Sequence, residues 1–127
     1  MKLELVIVDD SHLWLSLAEK LAASHPLVGK ITTFDDSYDA WVHIQINKPQ
    51  FVISDIEMPG MNGLSFLEMF SDRLPFISTS TKQEFEVVAK ELGGIDFVAK
   101  PFSKSDIHNA IDEVYSHMFG EKVSNYK

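Results

Sequence analysis

The sequence predicts an α/β fold of the (βα)5 kind, a doubly wound five-stranded parallel sheet. Three observations carry this. Short β-branched or aromatic runs alternate five times with segments of helical spacing. The run Leu5-Val6-Ile7-Val8 is continuously apolar, as a strand covered on both faces requires. The chain has 127 residues, the size of one domain. Strict alternation gives a parallel sheet with right-handed crossovers and helices on both faces.

The elements follow in order. The first strand is expected over Leu3–Val8. A helix then carries Leu13, Leu17 and Leu21 with Trp14 and Ala18 on one stripe, and Pro26 follows its end. Lys30–Phe34 reads as the second strand. Asp35-Asp36-Ser37 is a capping-type run, and Tyr38, Trp41 and Ile44 space like a second helix. Phe51–Ser54 is the third strand, and Leu64, Leu67 and Phe70 mark a third helix after Gly63. Phe76–Ser80 is the fourth strand. Phe85, Val88, Ala89 and Leu92 mark a fourth helix, stopped by Gly93-Gly94. Phe97–Ala99 is the fifth strand. Ile107, Ala110, Ile111 and Val114 mark a fifth helix, opened by the capping-box-like Ser103-Lys104-Ser105-Asp106. The domain is drawn as 1–119, with 120–127 a polar tail or the start of a linker.

Composition narrows the function. Apolar residues are 45% and charged residues 24%, the balance of a folded soluble domain. There are 11 Lys and Arg against 19 Asp and Glu, a net charge of −8. That excess argues against direct nucleic-acid binding and suits a cation or a basic partner. No cysteine is present, which excludes disulfides, thiolate metal sites and cysteine nucleophiles. No apolar run has the length of a membrane span, and no signal-peptide core opens the chain, so a cytoplasmic protein without membrane attachment is expected.

Ligands of doubly wound sheets bind beyond the carboxyl ends of the strands. Those ends carry Asp9-Asp10, Asp55, Ser80-Thr81 and Lys100-Pro101. Three carboxylates on one rim repel unless neutralised. An all-oxygen donor set without cysteine or a histidine pair points to Mg2+ ahead of Ca2+. A carboxylate can attack phosphorus to form an aspartyl phosphate. Phosphoryl transfer also needs charge stabilisation, for which Lys100, Ser80 and the Thr81 amide are candidates. Taken singly, an Asp pair after a strand is often a helix cap, and Lys-Pro is often a plain loop. The five histidines form no ligand pair near the rim and are expected to play plain surface roles. His12 is the one near enough to the Asp pair to matter.

Val8-Asp9-Asp10, Asp55-Ile56-Glu57-Met58-Pro59-Gly60-Met61-Asn62-Gly63, Ser80-Thr81 and Gly93-Gly94-Ile95-Asp96-Phe97-Val98-Ala99-Lys100-Pro101-Phe102 together resemble the receiver domain of two-component response regulators, CheY-like, over about residues 3–118. The resemblance implies a flavodoxin-like strand order of 2-1-3-4-5. It implies Asp55 as phosphoacceptor, with Mg2+ held by Asp10 directly, Asp9 mainly through water, Asp55, and the Glu57 carbonyl. Lys100 would bind phosphoryl oxygens. Ser80 would supply the switching hydroxyl, with Thr79 the runner-up, and Phe97 the switching aromatic. A cis Lys100-Pro101 bond is also implied. The donor would be a histidine kinase or histidine phosphotransfer protein. The α4-β5-α5 face would carry the response to a partner, an output domain or a homodimer.

Glu57 and Lys82 occupy positions that tune dephosphorylation in the family. They are read either as an ion pair across the mouth of the site or as two solvated side chains. Trp14, Leu17 and Phe102 resemble kinase-docking positions, with Trp14 expected to be partly exposed and Leu17 to belong to the core. Gln50, Gly94 and Phe97 depart from the common Asp, Ala and Tyr. Three alternatives stay open. One is an Mg2+-dependent phosphohydrolase with an aspartyl nucleophile, against which the lack of room for a cap region counts. Another is a flavin carrier, disfavoured by three carboxylates beside a flavin phosphate. The last is a phosphorylation-independent pseudo-receiver. The receiver reading makes the protein a switch that catalyses only its own phosphorylation and dephosphorylation. No effector motif follows residue 118, so the output is expected in a partner or in a module cut from a longer chain.

Overall fold

The computed structural model describes residues 2–120. Five strands and five helices alternate: β1 Leu3–Val8, α1 His12–Ala23, β2 Val28–Phe34, α2 Ser37–Asn47, β3 Phe51–Asp55, α3 Gly63–Phe70, β4 Phe76–Ser80, α4 Phe85–Glu91, β5 Asp96–Ala99 and α5 Lys104–Phe119. All strand pairs are parallel, in the order β2-β1-β3-β4-β5. This is the expected flavodoxin-like fold. The Lys100-Pro101 peptide bond is cis. Of the proposed tail, residues 121–127 lie outside the described residues. Among the described residues, no helix is long and apolar enough to cross a membrane.

Strand alternation splits the core in two. Leu5, Ile7, Ile53, Ile77 and Val98 join Ala18 and Ala22 of α1 and Ile107, Ala110, Ile111 and Val114 of α5. Val6, Val8, Val52, Phe76 and Phe97 join Ala40 and Ile44 of α2, Phe66 and Leu67 of α3, and Ala89 of α4. Each face of the sheet is therefore buried under helices, which is why Leu5-Val6-Ile7-Val8 of β1 and Phe51-Val52-Ile53 of β3 are continuously apolar.

The helix starts obey local chemistry. Ser11, Asp36 and Asn62 cap α1, α2 and α3 through their side chains. At α5, Ser103 and Asp106 complete a capping box: the Ser103 N–H donates to Asp106 at 2.9 Å and the Asp106 N–H to Ser103 at 3.2 Å. The shorter Asp thus serves where Glu is usual. Helix α4 has no side-chain cap and buries only Ala89.

Three expectations are corrected. Leu13 is 77% exposed, because Ala18 and Ala22 hold the inward face of α1. Tyr38 and Trp41 lie outside, at 55% and 38%, because the inward face of α2 is Ser37, Ala40 and Ile44. Small residues let that helix approach the sheet, and the apolar count misled the periodicity. His25 is buried rather than a surface residue. Its Nδ1 accepts the Leu27 N–H at 3.0 Å and its Nε2 donates to Asp112 at 2.8 Å. Its ring also lies 4.7 Å from that of His108, between α1 and α5.

Candidate functional site

Parallel register brings the strand ends to one rim. Val8 pairs with Ser54, Asp55 with Thr79, Thr79 with Val98 and Ser80 with Ala99. Asp9 and Asp10 therefore follow β1, Asp55 ends β3, and Lys100 follows β5. The Asp9 N–H donates to Phe34 at 3.1 Å, and the Lys100 N–H to Ser80 at 2.8 Å, extending the ladders past the strands.

Lys100 Nζ donates to Asp9 Oδ2 at 2.8 Å and to Asp55 Oδ1 at 3.1 Å, with all three side chains nearly buried. The other Asp9 oxygen, Oδ1, accepts the Ser11 N–H at 2.9 Å. One carboxylate oxygen from each of Asp9, Asp10 and Asp55 lies within 4.8 Å of the others. Burial first, and then the charge of Asp9, push the Asp55 carboxyl up to about 6, although Lys100 opposes the shift. Against three carboxylates, one ammonium leaves two negative charges uncompensated. Oxygen donors with that residual charge fit a hard divalent cation.

Two glycines shape the loop after Asp55. A Cβ on Gly63 would sit 2.0 Å from the Asp55 carbonyl oxygen, so only glycine lets α3 start beneath the rim. The Gly63 N–H closes that turn by donating to Ile56 at 2.7 Å. Gly60 has φ +75°, beside the Tyr38 ring, and follows Met58-Pro59. The Ser37 hydroxyl donates to the Met61 carbonyl at 2.5 Å, tying α2 to the same loop.

The remaining candidates divide by location. Glu57 and Lys82 form an ion pair at 3.1 Å, both about half exposed. Ser80 is buried, and its hydroxyl accepts the Lys82 N–H at 3.0 Å. It lies on the sheet face that also holds Phe97, whereas Thr79 lies on the face of Asp55. Thr81 is exposed. Phe97 is turned inward at 8% exposure. Trp14 and Leu17 are half-buried against the core, while Phe102 is buried with its ring 5.2 Å from that of Trp14. Sequence reasoning missed a second contact of Trp14: its ring stands 5.3 Å from Lys100 Nζ. A tryptophan four residues after an acidic strand end was the available signal. His12 is exposed and pairs with Asp35 at 3.1 Å rather than with the acidic cluster.

Comparison with known proteins agrees with this geometry. A family model described as the response regulator receiver domain matches residues 5–112. A protein-glutamate methylesterase/protein-glutamine glutaminase of Methylobacillus flagellatus is 36% identical over 97% of this chain, which spans 36% of that protein's length. The like-named protein of Bordetella pertussis is 35% identical over 96% of the chain, again with 36% of its length covered. Among solved structures, the chemotaxis response regulator CheY4 of Vibrio cholerae superposes with a TM-score of 0.79 at 21% identity, covering 90% of this chain and 99% of that one. A receiver domain protein from Clostridium thermocellum gives 0.82 at 18% identity, covering 91% and 96%. At these identities the structural likeness speaks for the fold, and the family model for membership. The chain belongs to the response regulator receiver domain family of two-component signalling.

Proposed function

We propose that the protein accepts a phosphoryl group on Asp55 from the phosphohistidine of a histidine kinase or a histidine phosphotransfer protein. The observation that carries this is Lys100 Nζ seated between Asp9 and Asp55 at the rim, with Asp10 beside them. An Asp55 oxygen attacks phosphorus, the P–N bond to the donor imidazole breaks, and the imidazole takes the bonding pair. A carboxyl raised to about 6 is largely ionised at neutral pH yet more basic than an ordinary aspartate, which suits a nucleophile. Asp9, Asp10, Asp55 and the Glu57 carbonyl would hold Mg2+, which would neutralise charge on the phosphoryl oxygens. Lys100, the Ser80 hydroxyl and the Thr81 N–H complete that stabilisation.

The bound phosphoryl group then competes for Ser80. Its hydroxyl would leave the Lys82 N–H and turn to the phosphoryl oxygens, and Phe97, on the same face of the sheet, would move into the space beside it. Helix α4 lacks a side-chain cap and is the element easiest to shift, so the α4-β5-α5 face is the one that changes. Phe97 carries no hydroxyl, so the change is transmitted by packing. The Glu57–Lys82 pair would shield the aspartyl phosphate from water, and Trp14 and Leu17 would meet the donor, with Phe102 supporting Trp14 from below. The reading carries a cytoplasmic location.

The named activity of the relatives bears on the output. We infer that this receiver regulates a hydrolase of the methylesterase/glutaminase kind, in the same polypeptide or in a partner, because the relatives are about a third receiver by length. Incubation with acetyl phosphate and Mg2+ tests the reading. One phosphoryl group should add to the wild type, and none to Asp55→Asn. Equal labelling of the two would overturn it.

A further inference from the structure

The Lys100 ammonium has three N–H donors to place. Asp9 Oδ2 accepts at 2.8 Å and Asp55 Oδ1 at 3.1 Å, and the side chain is only 5% exposed. On another side the Trp14 ring lies over Nζ, with its centroid 5.3 Å away. A cation at that distance over an indole face is held by the ring quadrupole.

The ring is fixed through its backbone and through its neighbour. Asp9 Oδ1 accepts the Ser11 N–H at 2.9 Å, and Ser11 Oγ accepts the Trp14 N–H at 3.4 Å. Buried Phe102, two residues after Lys100, sets its ring 5.2 Å from that of Trp14. The links close a circuit from Asp9 to Ser11, Trp14 and Lys100 and back to Asp9. The carboxylate that holds Lys100 thus also anchors the turn that carries the ring. An indole face keeps water from the ammonium, so its charge is less screened toward the oxygens it binds. An aliphatic side chain of similar bulk would exclude water but would not attract the cation.

We propose that Trp14 is a positioning residue for phosphoryl transfer, its ring holding the Lys100 ammonium between Asp9 and Asp55 by cation–π attraction. The proposal rests on the reading of Asp55 as phosphoryl acceptor. It is separate from any contact of Trp14 with the donor protein, because it acts whatever the donor. On transfer, Lys100 exchanges the Asp55 oxygen for a phosphoryl oxygen and keeps both Asp9 and the ring. Its charge is in place before the reaction begins.

Acetyl phosphate is too small to use a docking surface and isolates this role. Trp41→Phe leaves Trp14 as the sole tryptophan of the full chain. In that background, monofluorinated and then trifluorinated tryptophan withdraws negative charge from the ring face with little change of shape. With Mg2+ present, the rate of Asp55 labelling should fall stepwise, by about fivefold with the trifluoro ring. Trp14→Leu should be at least as slow, and Trp14→Phe should recover part of the rate. In NMR spectra without any phosphodonor, the Lys100 ε-methylene protons should be shifted upfield by the ring in the wild type and not in Trp14→Leu. A rate indifferent to fluorination, equal rates for the Leu and Phe variants, or unshifted ε-protons in the wild type would each overturn the proposal and leave Asp55 as acceptor. Failure of the wild type to label at all would overturn the acceptor reading, and this proposal with it.

Discussion

Asp55 is held at the expense of stability. Its carboxyl is raised from 3.8 to about 6 by burial and by Asp9, so its ionised form destabilises the fold when no cation is bound. The favourable contribution is complete below pH 3.8 and is lost as pH rises through about 6. Asp55→Asn should therefore raise the melting temperature of the metal-free protein at pH 8 more than at pH 4. Mg2+ should raise that of the wild type at pH 8 by more than that of the variant; thermal unfolding at the two pH values measures both. Glu57 and Lys82 pair at 3.1 Å but stay about half exposed. Lys82→Ala should change stability by less than about 1 kcal/mol, while shortening the aspartyl-phosphate half-life several-fold if the pair screens water. An unchanged half-life in both Lys82→Ala and Glu57→Asn would remove the tuning role. The charged rim was legible in the sequence because each residue stands at a strand end, where the fold leaves few places for it. The contact of Trp14 with Lys100 was not, because it depends on where α1 lies over the fifth strand's exit.

The elements differ in how firmly they are anchored. Helix α5 has a full capping box and four buried apolar residues, whereas α4 has no side-chain cap and buries only Ala89. Hydrogen exchange should be fastest in α4 among the five helices, and its amides should respond most to a beryllofluoride phosphoryl mimic. Helices α1 and α5 are joined through His25, Asp112 and His108, and burial holds the His25 ring below the usual 6.5. A lowered histidine favours folding above pH 6.5 and costs stability as pH falls below it. The wild type should therefore lose stability below pH 6.5 more steeply than His25→Asn, as read by denaturant unfolding across pH 5–8. Strand positions were legible because β-branched runs of this length fit a buried strand. The faces of α1 and α2 were misread because Ala18, Ala22, Ser37 and Ala40 do the close packing. Small residues leave no trace in a count of large apolar ones.

At the scale of the molecule, four strand ends from distant parts of the sequence make one site because the sheet is parallel and ordered β2-β1-β3-β4-β5. Gly63 is where the whole depends most on a single missing atom. Gly63→Ala would drive a Cβ into the Asp55 carbonyl, and the cost should be about 1–3 kcal/mol or more, together with loss of phosphorylation. The architecture was legible in advance because alternation and right-handed crossovers leave few topologies. The outward turn of Tyr38 and Trp41 on α2 was not, since helical spacing marks a stripe without saying which way it faces. The total charge of −8 was a weaker guide than the clustering of Asp9, Asp10 and Asp55 at one rim. The central claim is that this rim makes Asp55 the phosphoryl acceptor. Phosphorylation with acetyl phosphate and Mg2+, followed by borohydride reduction and peptide mass mapping, tests it most directly. Reductive trapping at residue 55 alone, lost in Asp55→Asn, is the predicted result. Trapping at Asp9 or Asp10 in the wild type, or no Mg2+-dependent trapping at all, would contradict it.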